Sequence, residues 1–395
     1  GTGYNPGSPD QVRRVIFGVW GMTPPRGLPK KVAYTTSGSE STGDAVLIAM
    51  LADRGLEPAR RRLIEATRGY RLAIKLNGTY VRPLAVPMGL DGGRIWPDGR
   101  VRASWNVHVT SPGRLSCNDP SLQNVRVRLR NMFRAQAARC MFGADADQIH
   151  LRIAAARWKI ERLLEIFRHG GDPHAINAEA MFGAAFRHAP GHPAGPGGKW
   201  AGLAKMMRDV AKIIAFASLY GADAKTVHRV LVSTEDADGN LVNHERTLTE
   251  VRALHAAWLA SMPEIERGWA WEIANWRAKG YVEEPVSGRR CELRDVVGDE
   301  TDFHSIVNWP TLASEAAIMH GVTLDCVAAL PFGFDGAATG LINQCHDSLT
   351  FEAASRAAAV RGARVLAEVF PRTLPCYSDV RFTGSPVIGD TWAEA

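Results

Sequence analysis

The sequence predicts an α+β fold, and three patterns support this prediction. Several stretches show the apolar spacing of helices, among them residues 202–220. Residues 341–353 instead predict an antiparallel hairpin with His346 and Asp347 at its tip. A last helix over 354–369 is followed by a strand near 376–388. Helices mixed with hairpins indicate α+β architecture, whereas a doubly wound sheet would alternate strands and helices regularly.

The first half of the chain predicts helices, then an irregular region and one strand. A short capped helix is expected over 8–20 and two helices over 40–78. The second of these is rich in arginine, which suits either a solvated face or a track for a phosphate backbone. Residues 86–135 predict loops and short strands, and a strand over 138–146 leads into a helix over 148–158.

The second half predicts one helix and a Gly/Pro-rich loop within 159–200. Further helices are expected over 202–220, 249–278 and 303–330. Between the last two, residues 280–295 predict an extended segment and a turn.

The composition is that of a globular protein and argues against several classes. At 395 residues, 46% hydrophobic and 22% charged, the chain is too long for one compact core, so two or three subdomains are expected. Its six cysteines contain no CxxC pair, which argues against a zinc ribbon and fits a reducing cytoplasm. No apolar run looks long enough to span a bilayer. A net charge of +6 permits a nucleic-acid partner without requiring one.

A ridge of four side chains marks the helix over 202–220. Two cations and two aromatics recur at every fourth position, namely Arg208, Lys212, Phe216 and Tyr220. Side chains four residues apart lie on one side of a helix, which we expect to stop at Gly221. The cations lie toward the helix N-terminus, where the dipole is positive. Such a ridge suits a nucleoside triphosphate, although an amphipathic helix with its aromatics in the core has the same pattern.

Two acidic residues stand at strand ends: Asp145 after the strand over 138–146, and Asp347 at the hairpin tip. Two carboxylates that meet in space can share two divalent metals about 3.5–4 Å apart. Mg²⁺ suits such a site because it takes a few carboxylates together with phosphate oxygens and water. One ion would activate an attacking hydroxyl and the other would neutralise a leaving pyrophosphate. A lone Asp at a turn is, however, more often plain turn chemistry.

Six segments of the chain, in one order, resemble family A DNA polymerases. GADADQIHLR (143–152) resembles their first palm motif, usually written DYSQIELR. RDVAKIIAFASLYG (208–221) is similar to the fingers motif R…K…F…YG, and NQCHDSLTFE (343–352) to QVHDELVFE. The other three segments that resemble the family are SPGRLSCNDPSLQNVRVR (111–128), GGDPHAINAEAMFG (170–183) and GYVEEPVSGRRCEL (280–293). Six matches in order are far more specific than any one, and they suggest a divergent or phage-like member.

The resemblance implies a right-hand polymerase fold. Residues 1–35 would pack on palm and thumb, 36–85 would form the thumb and 158–279 the fingers. The palm would combine 86–157 with 280–395. No segment before the thumb resembles a 3′–5′ exonuclease, so we expect no proofreading from this chain.

The resemblance also implies roles for individual residues. Asp145 and Asp347, helped by the Ala146 carbonyl, would bind two Mg²⁺ ions, for which Mn²⁺ could substitute, and Lys212 would join them in catalysis. The residues implied to hold an incoming deoxynucleoside triphosphate are Gln148, His150, His174, Arg208, Lys212, Phe216 and Tyr220. Those implied to contact primer–template DNA are Lys75, Asn77, Arg114, Gln123, Asn124, Asn308, Gln344 and His346.

Several positions depart from the family pattern. His150 stands where the family has a Glu that blocks a sugar 2′-hydroxyl and is held by the tyrosine matching Tyr220. Ser348 replaces the Glu that usually follows the His-Asp pair, and Asp147 stands in place of a Ser. We expect the Asp147 side chain to point away from Asp145. No metal ligand is lost, so the resemblance still implies a DNA polymerase. Because His150 replaces the blocking Glu, we expect its sugar selection to be looser than in its relatives.

Two other functions stay open beside a template-directed DNA polymerase that extends a primer 3′ end. A single-subunit RNA polymerase shares the palm and fingers chemistry, and His150 keeps ribonucleotide tolerance open, but the thumb and segment 111–128 favour DNA synthesis. A catalytically silent primer–template-binding subunit is disfavoured because Asp145, Lys212 and Asp347 are all present. We expect a monomer in the cytoplasm of a bacterium or a phage-infected cell, with no membrane partner.

Overall fold

The computed structural model describes most of the chain, in the ranges 3–90, 92–193, 198–236, 239–293, 303–330 and 340–395. The described chain forms two compact units. One unit joins residues 1–102 to 223–255, and the other joins 103–222 to 256–395. The second unit holds all the predicted site residues except Lys75 and Asn77.

Helices make up most of the described secondary structure. In chain order they are α1 (Pro9–Arg13), α2 (Lys30–Ala33), α3 (Asp44–Leu51), α4 (Pro58–Leu76), α5 (Ile149–Trp158), α6 (Glu161–His169), α7 (Pro173–Phe182), α8 (Ala184–Arg187), α9 (Gly202–Ser218), α10 (Ala224–Val232), α11 (Leu248–Ser261), α12 (Glu264–Lys279), α13 (Phe303–Ala329) and α14 (Arg356–Val369). π-helical turns extend α1 over Arg14–Val19 and α4 over Asn77–Val81, and 3₁₀ turns cover Leu122–Asn124 and Val127–Met132.

The strands are short and pair antiparallel throughout. They are β1 (Ser104–Asn106), β2 (Ser116–Asn118), β3 (Cys140–Ala146), β4 (Val282–Glu283), β5 (Arg290–Cys291), β6 (Gly340–Cys345), β7 (Ser348–Ala353), β8 (Arg372–Leu374), β9 (Tyr377–Phe382) and β10 (Gly384–Gly389). Four of them form one sheet in the order β10-β3-β7-β6, and the others pair two by two. Helices beside an antiparallel sheet confirm the α+β prediction.

The core of the second unit lies where α14 covers the four-stranded sheet. Phe142 of β3 and Phe351 of β7 stack with ring centroids 5.1 Å apart. Gly362 of α14 lies directly over Phe142, so a Cβ at this position would meet the ring at 2.3 Å. A larger residue would therefore lift the helix off the central strand. This packing fixes β3 beneath α14, and Asp145 lies at the end of that strand.

The structure corrects several predicted elements. The stretch 159–200 contains three described helices, α6 to α8, because Asp172 caps a separate helix that begins at Pro173. The helix predicted over 249–278 is two helices, α11 and α12, separated at Pro263. Helix α10 was not predicted. Residues 294–295, the end of the predicted extended segment, lie outside the described residues.

Helix α13 is the longest helix in the described chain, and it is apolar over much of its length. Its 27 residues reach a mean hydropathy of 1.2 over 18 residues, and 44% of that stretch is buried inside the protein. By length and composition it could cross a membrane, so the expectation that no such run exists was wrong. The helix nevertheless packs against α5, α12 and α14. It also buries the charged side chain of Glu315, as a core helix can when the charge is paired.

Candidate active site

The site is built on the end of β3, where two carboxylates meet. Asp145 faces Ser348 in the register of β3 and β7. The backbone N–H of Ala146 donates to the carbonyl of Asp347 at 2.9 Å, which ties the strand end to the hairpin tip. The tip turns sharply because His346 adopts a left-handed φ of 56°. Strand pairing therefore brings Asp145 and Asp347 to the same end of the sheet, as a shared site requires.

The two carboxyls hold their protons more tightly than ordinary aspartates. Partial burial, and then the charges of Asp347 and Asp147, raise the pKa of Asp145 to about 7. The Asp145 side chain is exposed to solvent, but protein atoms surround it closely enough for desolvation to be the largest cause of its raised pKa. Burial, followed by the charge of Glu315, also raises the pKa of Asp347. Two like charges this close favour a proton or a cation between them.

Asp147, the third carboxylate at this end of the strand, is already satisfied. Its Oδ2 accepts a hydrogen bond from the Thr383 hydroxyl at 2.8 Å, and its Oδ1 accepts one from Ser385 at 2.8 Å. Among the described residues, no cluster of three or more His, Cys, Asp or Glu side chains is arranged to hold a metal. An ion here would thus rely on two carboxylates, with substrate oxygens and water for the rest, a donor set that fits Mg²⁺.

The α9 ridge carries the positive charge of the site. Lys212 is exposed, and its charge partly offsets the rise in the pKa of Asp145 and helps to lower the pKa of His174. Its charge therefore links the carboxylate end of the site to the ridge. Arg208 is held by Asp172, with Nε 2.6 Å from Oδ2. The helix ends at Ser218, two residues before the predicted Tyr220, which lies instead in the turn closed by Gly221.

His174 is placed against this ridge. The ring is 4% exposed and lies 5.8 Å from the Phe216 ring, centroid to centroid. Burial, together with the charges of Lys212 and Arg208, lowers the pKa of His174 to about 4. Its Nδ1 is buried with no hydrogen-bond partner. A neutral imidazole with an unused polar atom, between two cations, fits the oxygen atoms of an anionic ligand.

His150 lies at the other end of the ridge, in the first turn of α5. Its Nδ1 is 2.7 Å from the Tyr220 hydroxyl. Its Nε2 is 2.6 Å from Oε2 of Glu315 on α13, and Arg114 pairs with the same oxygen. Gln148, just before this helix, has a left-handed φ of 46°. Glu315 was not predicted as a site residue. Its one signal in the sequence is an acidic residue within an apolar helix.

Comparison with known proteins places the chain in a family. DNA polymerase family A matches residues 1–394 of the chain. The chain belongs to DNA polymerase family A. Its right-hand fold is that of a solved POL domain of Pol1 from M. smegmatis in complex with DNA primer-template and dNTP. The two share a TM-score of 0.76 and 21% identity, over 98% of this chain and 61% of that one.

Two curated relatives of this family A chain come from bacteria. A thermostable DNA polymerase I of Thermus aquaticus is 30% identical over 416 residues, which is 100% of this chain and 42% of the relative. A DNA polymerase I of Rhizobium leguminosarum is 28% identical over 364 residues, covering 89% of this chain and 31% of the relative. The chain thus spans less than half the length of these relatives.

The residues predicted to contact DNA fall in two places. Gln123 donates to the backbone carbonyls of Leu115 and Gln344, at 3.0 and 3.1 Å. This joins the segment after β2 to the hairpin that carries exposed His346. The predicted contact residues Arg114, Asn124 and Asn308 belong, like Gln123 and His346, to the second unit.

Side-chain oxygens of Gln344 and Asn308 are buried without a partner. Such polar atoms are available to a ligand that can supply hydrogen-bond donors. Lys75 and Asn77 are exposed in the other unit, at the end of α4.

The raised carboxyl pKa values predict how stability depends on pH. An unfolded aspartate has a pKa near 3.9, so without metal the folded state loses stability as the pH rises from about 4 to 7, and above pH 7 the full penalty of ionising Asp145 beside Asp347 remains. Asp145→Asn should therefore stabilise the metal-free chain at pH 8 by about 1–2 kcal/mol, a value discounted for solvent screening. The gain should shrink as the pH falls from 7 toward 4.

Thermal unfolding in EDTA at several pH values measures this effect. Asp379→Asn is the matched control, because the Lys159 partner lowers the pKa of Asp379 and no gain at pH 8 is expected. Mg²⁺ should raise the Tm of the parent more than that of Asp145→Asn. A gain at pH 8 that is equal for both variants would contradict the explanation.

Proposed function

We propose that this chain is a template-directed DNA polymerase that adds deoxynucleotides to a primer 3′ end. The observation that supports this most is the placing of Asp145 and Asp347 at one strand end, with the charge of Lys212 acting on both Asp145 and His174. The carboxylate end of such a site suits two cations, and the end with Lys212 and His174 suits a triphosphate. From the triphosphate end, Phe216 of α9 and then Tyr220, in the turn after α9, continue toward His150.

Each residue of the site has a distinct part in the proposed reaction. Asp145 and Asp347, with the Ala146 carbonyl, would hold two Mg²⁺ ions, and Mn²⁺ could replace them. When bound, these ions would activate the primer hydroxyl and neutralise the leaving pyrophosphate. Lys212 and Arg208 would bind the triphosphate, and His174 would donate to a phosphate oxygen.

The base and sugar of the nucleotide would lie further along the ridge. Phe216 would pack on the base and sugar, and His150 would lie under the sugar 2′ position, with Gln148 beside it. Tyr220, held by His150, would close that end of the ridge. Arg208 is paired with Asp172, so nucleotide binding would require it to exchange that partner or share it.

The subdomains and partners follow from the same proposal. We assign residues 36–85 to the thumb, 158–279 to the fingers, and 86–157 with 280–395 to the palm, with 1–35 packed on palm and thumb. The DNA would contact the predicted residues at the end of α4 and around Gln123 and His346. A monomer in a bacterial cytoplasm, with α13 inside the protein and not in a membrane, fits these assignments.

Primer extension tests the proposal directly. We expect the purified chain to extend an annealed primer with deoxynucleotides on a DNA template in Mg²⁺, and EDTA to stop it. The same assay with ribonucleotides, and with RNA templates, separates DNA synthesis from RNA synthesis. Better extension with ribonucleotides than with deoxynucleotides would favour the RNA polymerase alternative. Binding without extension in Mg²⁺ or Mn²⁺ would favour a silent subunit.

A further inference from the structure

The most heavily buried charge near the site is one to which no role has yet been given. The Glu315 side chain is 1% exposed, on the apolar helix α13. A charge buried this deeply is tolerated only when ionic and hydrogen-bonded partners surround it. It has two such partners, Arg114 from the loop before β2 and His150 from α5. Burial alone would raise the pKa of Glu315, but the His150 hydrogen bond and the Arg114 charge outweigh it, and the pKa is lowered.

The geometry determines which imidazole nitrogen bears the hydrogen. Nε2 of His150 faces Oε2 of Glu315 at 2.6 Å, and a carboxylate oxygen only accepts, so Nε2 must carry a hydrogen in either charge state of the ring. Arg114 Nη2 lies 2.9 Å from the same nitrogen, because both groups point at one Glu315 oxygen. The other nitrogen, Nδ1, faces the Tyr220 hydroxyl at 2.7 Å.

We propose that Glu315 is a positioning residue for sugar selection, acting through His150 and Tyr220. The carboxylate holds the ring plane and its Nε2 hydrogen, so that Nδ1 stays directed at Tyr220. Without this anchor the ring could rotate about its side-chain bonds and leave the 2′ position of a bound nucleotide. The inference rests on the proposed function for its sugar-selection step, and on contacts alone for the anchoring step.

The first test measures the tautomer of the His150 ring directly and does not depend on any enzymatic activity. Long-range ¹H–¹⁵N spectra of histidine-labelled protein report the tautomer of each ring. The His150 signal is assigned by its loss in His150→Ala. We expect the Nε2-protonated form in the parent and a changed signal in Glu315→Gln. An unchanged His150 signal in that variant would overturn the anchoring step.

The second test measures selection. Glu315→Gln should lower the ratio of kcat/KM for deoxy- over ribonucleotide by about tenfold to 100-fold, the loss expected for one hydrogen bond to a charged group. In a His150→Ala background the same change should have no further effect. An equal loss in both backgrounds would show that Glu315 does not act through His150, and would overturn the proposal.

A matched control separates this role from general stability. Glu272 is also a buried carboxylate, 2% exposed, and it pairs with Arg157 and Trp158 at the opposite end of α5 from His150. Glu272→Gln should lower the Tm but leave the sugar ratio unchanged. If Glu315→Gln does not fold, Glu315→Asp keeps the charge and withdraws it by one methylene, and the same two readouts apply. A chain that incorporates no nucleotide would overturn the proposed function, and the spectra would still decide whether Glu315 holds the ring.

Discussion

Asp347→Ala is expected to lower the rate of nucleotide incorporation by about 10³-fold or more, and Asp145→Ala should do the same. Each carboxylate supplies part of one cation site, and the loss of several kcal/mol of charge stabilisation in the transition state corresponds to a rate loss of this size. Primer–template binding should survive, because contacts to phosphates dominate affinity for nucleic acid. Single-turnover extension measures the rate, and fluorescence anisotropy of labelled primer–template measures binding.

The neighbouring carboxylate gives a close control for this experiment. Asp147 lies two residues from Asp145, but its oxygens already accept from Thr383 and Ser385. Asp147→Asn should therefore cause a much smaller loss than either alanine variant. A loss for Asp147→Asn equal to that for Asp347→Ala would mean that the ion lies elsewhere at this strand end. Near-normal extension by Asp145→Ala would remove the proposed site altogether.

The elements that carry strong local signals could be predicted from the sequence. The hairpin around His346-Asp347 was expected from two β-rich runs around a polar pair, and the structure has β6 and β7 there. The helix of the ridge was also expected, because it lacks breakers before Gly221. Its last two predicted residues lie beyond its end, since helix termini depend on local capping that periodicity does not reveal.

Two helix boundaries were missed although the sequence marks each with a proline, because we gave more weight to the apolar periodicity. Asp172-Pro173 is a cap followed by a favoured first helical residue, and it opens α7 in a stretch predicted to hold a single helix. Pro263 separates α11 from α12 within a continuous apolar pattern. In both places a single Pro marked the boundary more reliably than the spacing of apolar residues did.

The surroundings of the site depend on tertiary packing, which one sequence does not reveal. Glu315 meets His150 only because α13 packs against α5. The departure at His150 was visible in the sequence, but its carboxylate partner was not, because the two belong to different elements. The ion pair of Arg208 with Asp172 is of the same kind, since it depends on the packing of α7 against α9.

Lys212→Ala is expected to lower kcat by about 10²–10³-fold and to raise the KM for the nucleotide. Lys212 is the cation whose field reaches both Asp145 and His174, so it would lie beside the charge that grows on the phosphates in the transition state. Removing one preorganised donor from such a position typically costs this much in kcat. Pre-steady-state incorporation over a range of nucleotide concentrations separates the two parameters.

Two further variants distinguish this role of Lys212 from a general effect of positive charge on α9. Lys205 lies on the same helix but is exposed and paired with Asp209, its Nζ 2.6 Å from Oδ2. Lys205→Ala removes the same charge from α9 and should leave kcat and KM nearly unchanged. Lys212→Arg keeps the charge on a bulkier group and should recover part of the loss. If Lys212→Ala matches Lys205→Ala in both parameters, the ridge is only the surface of a structural helix, and the triphosphate must bind elsewhere.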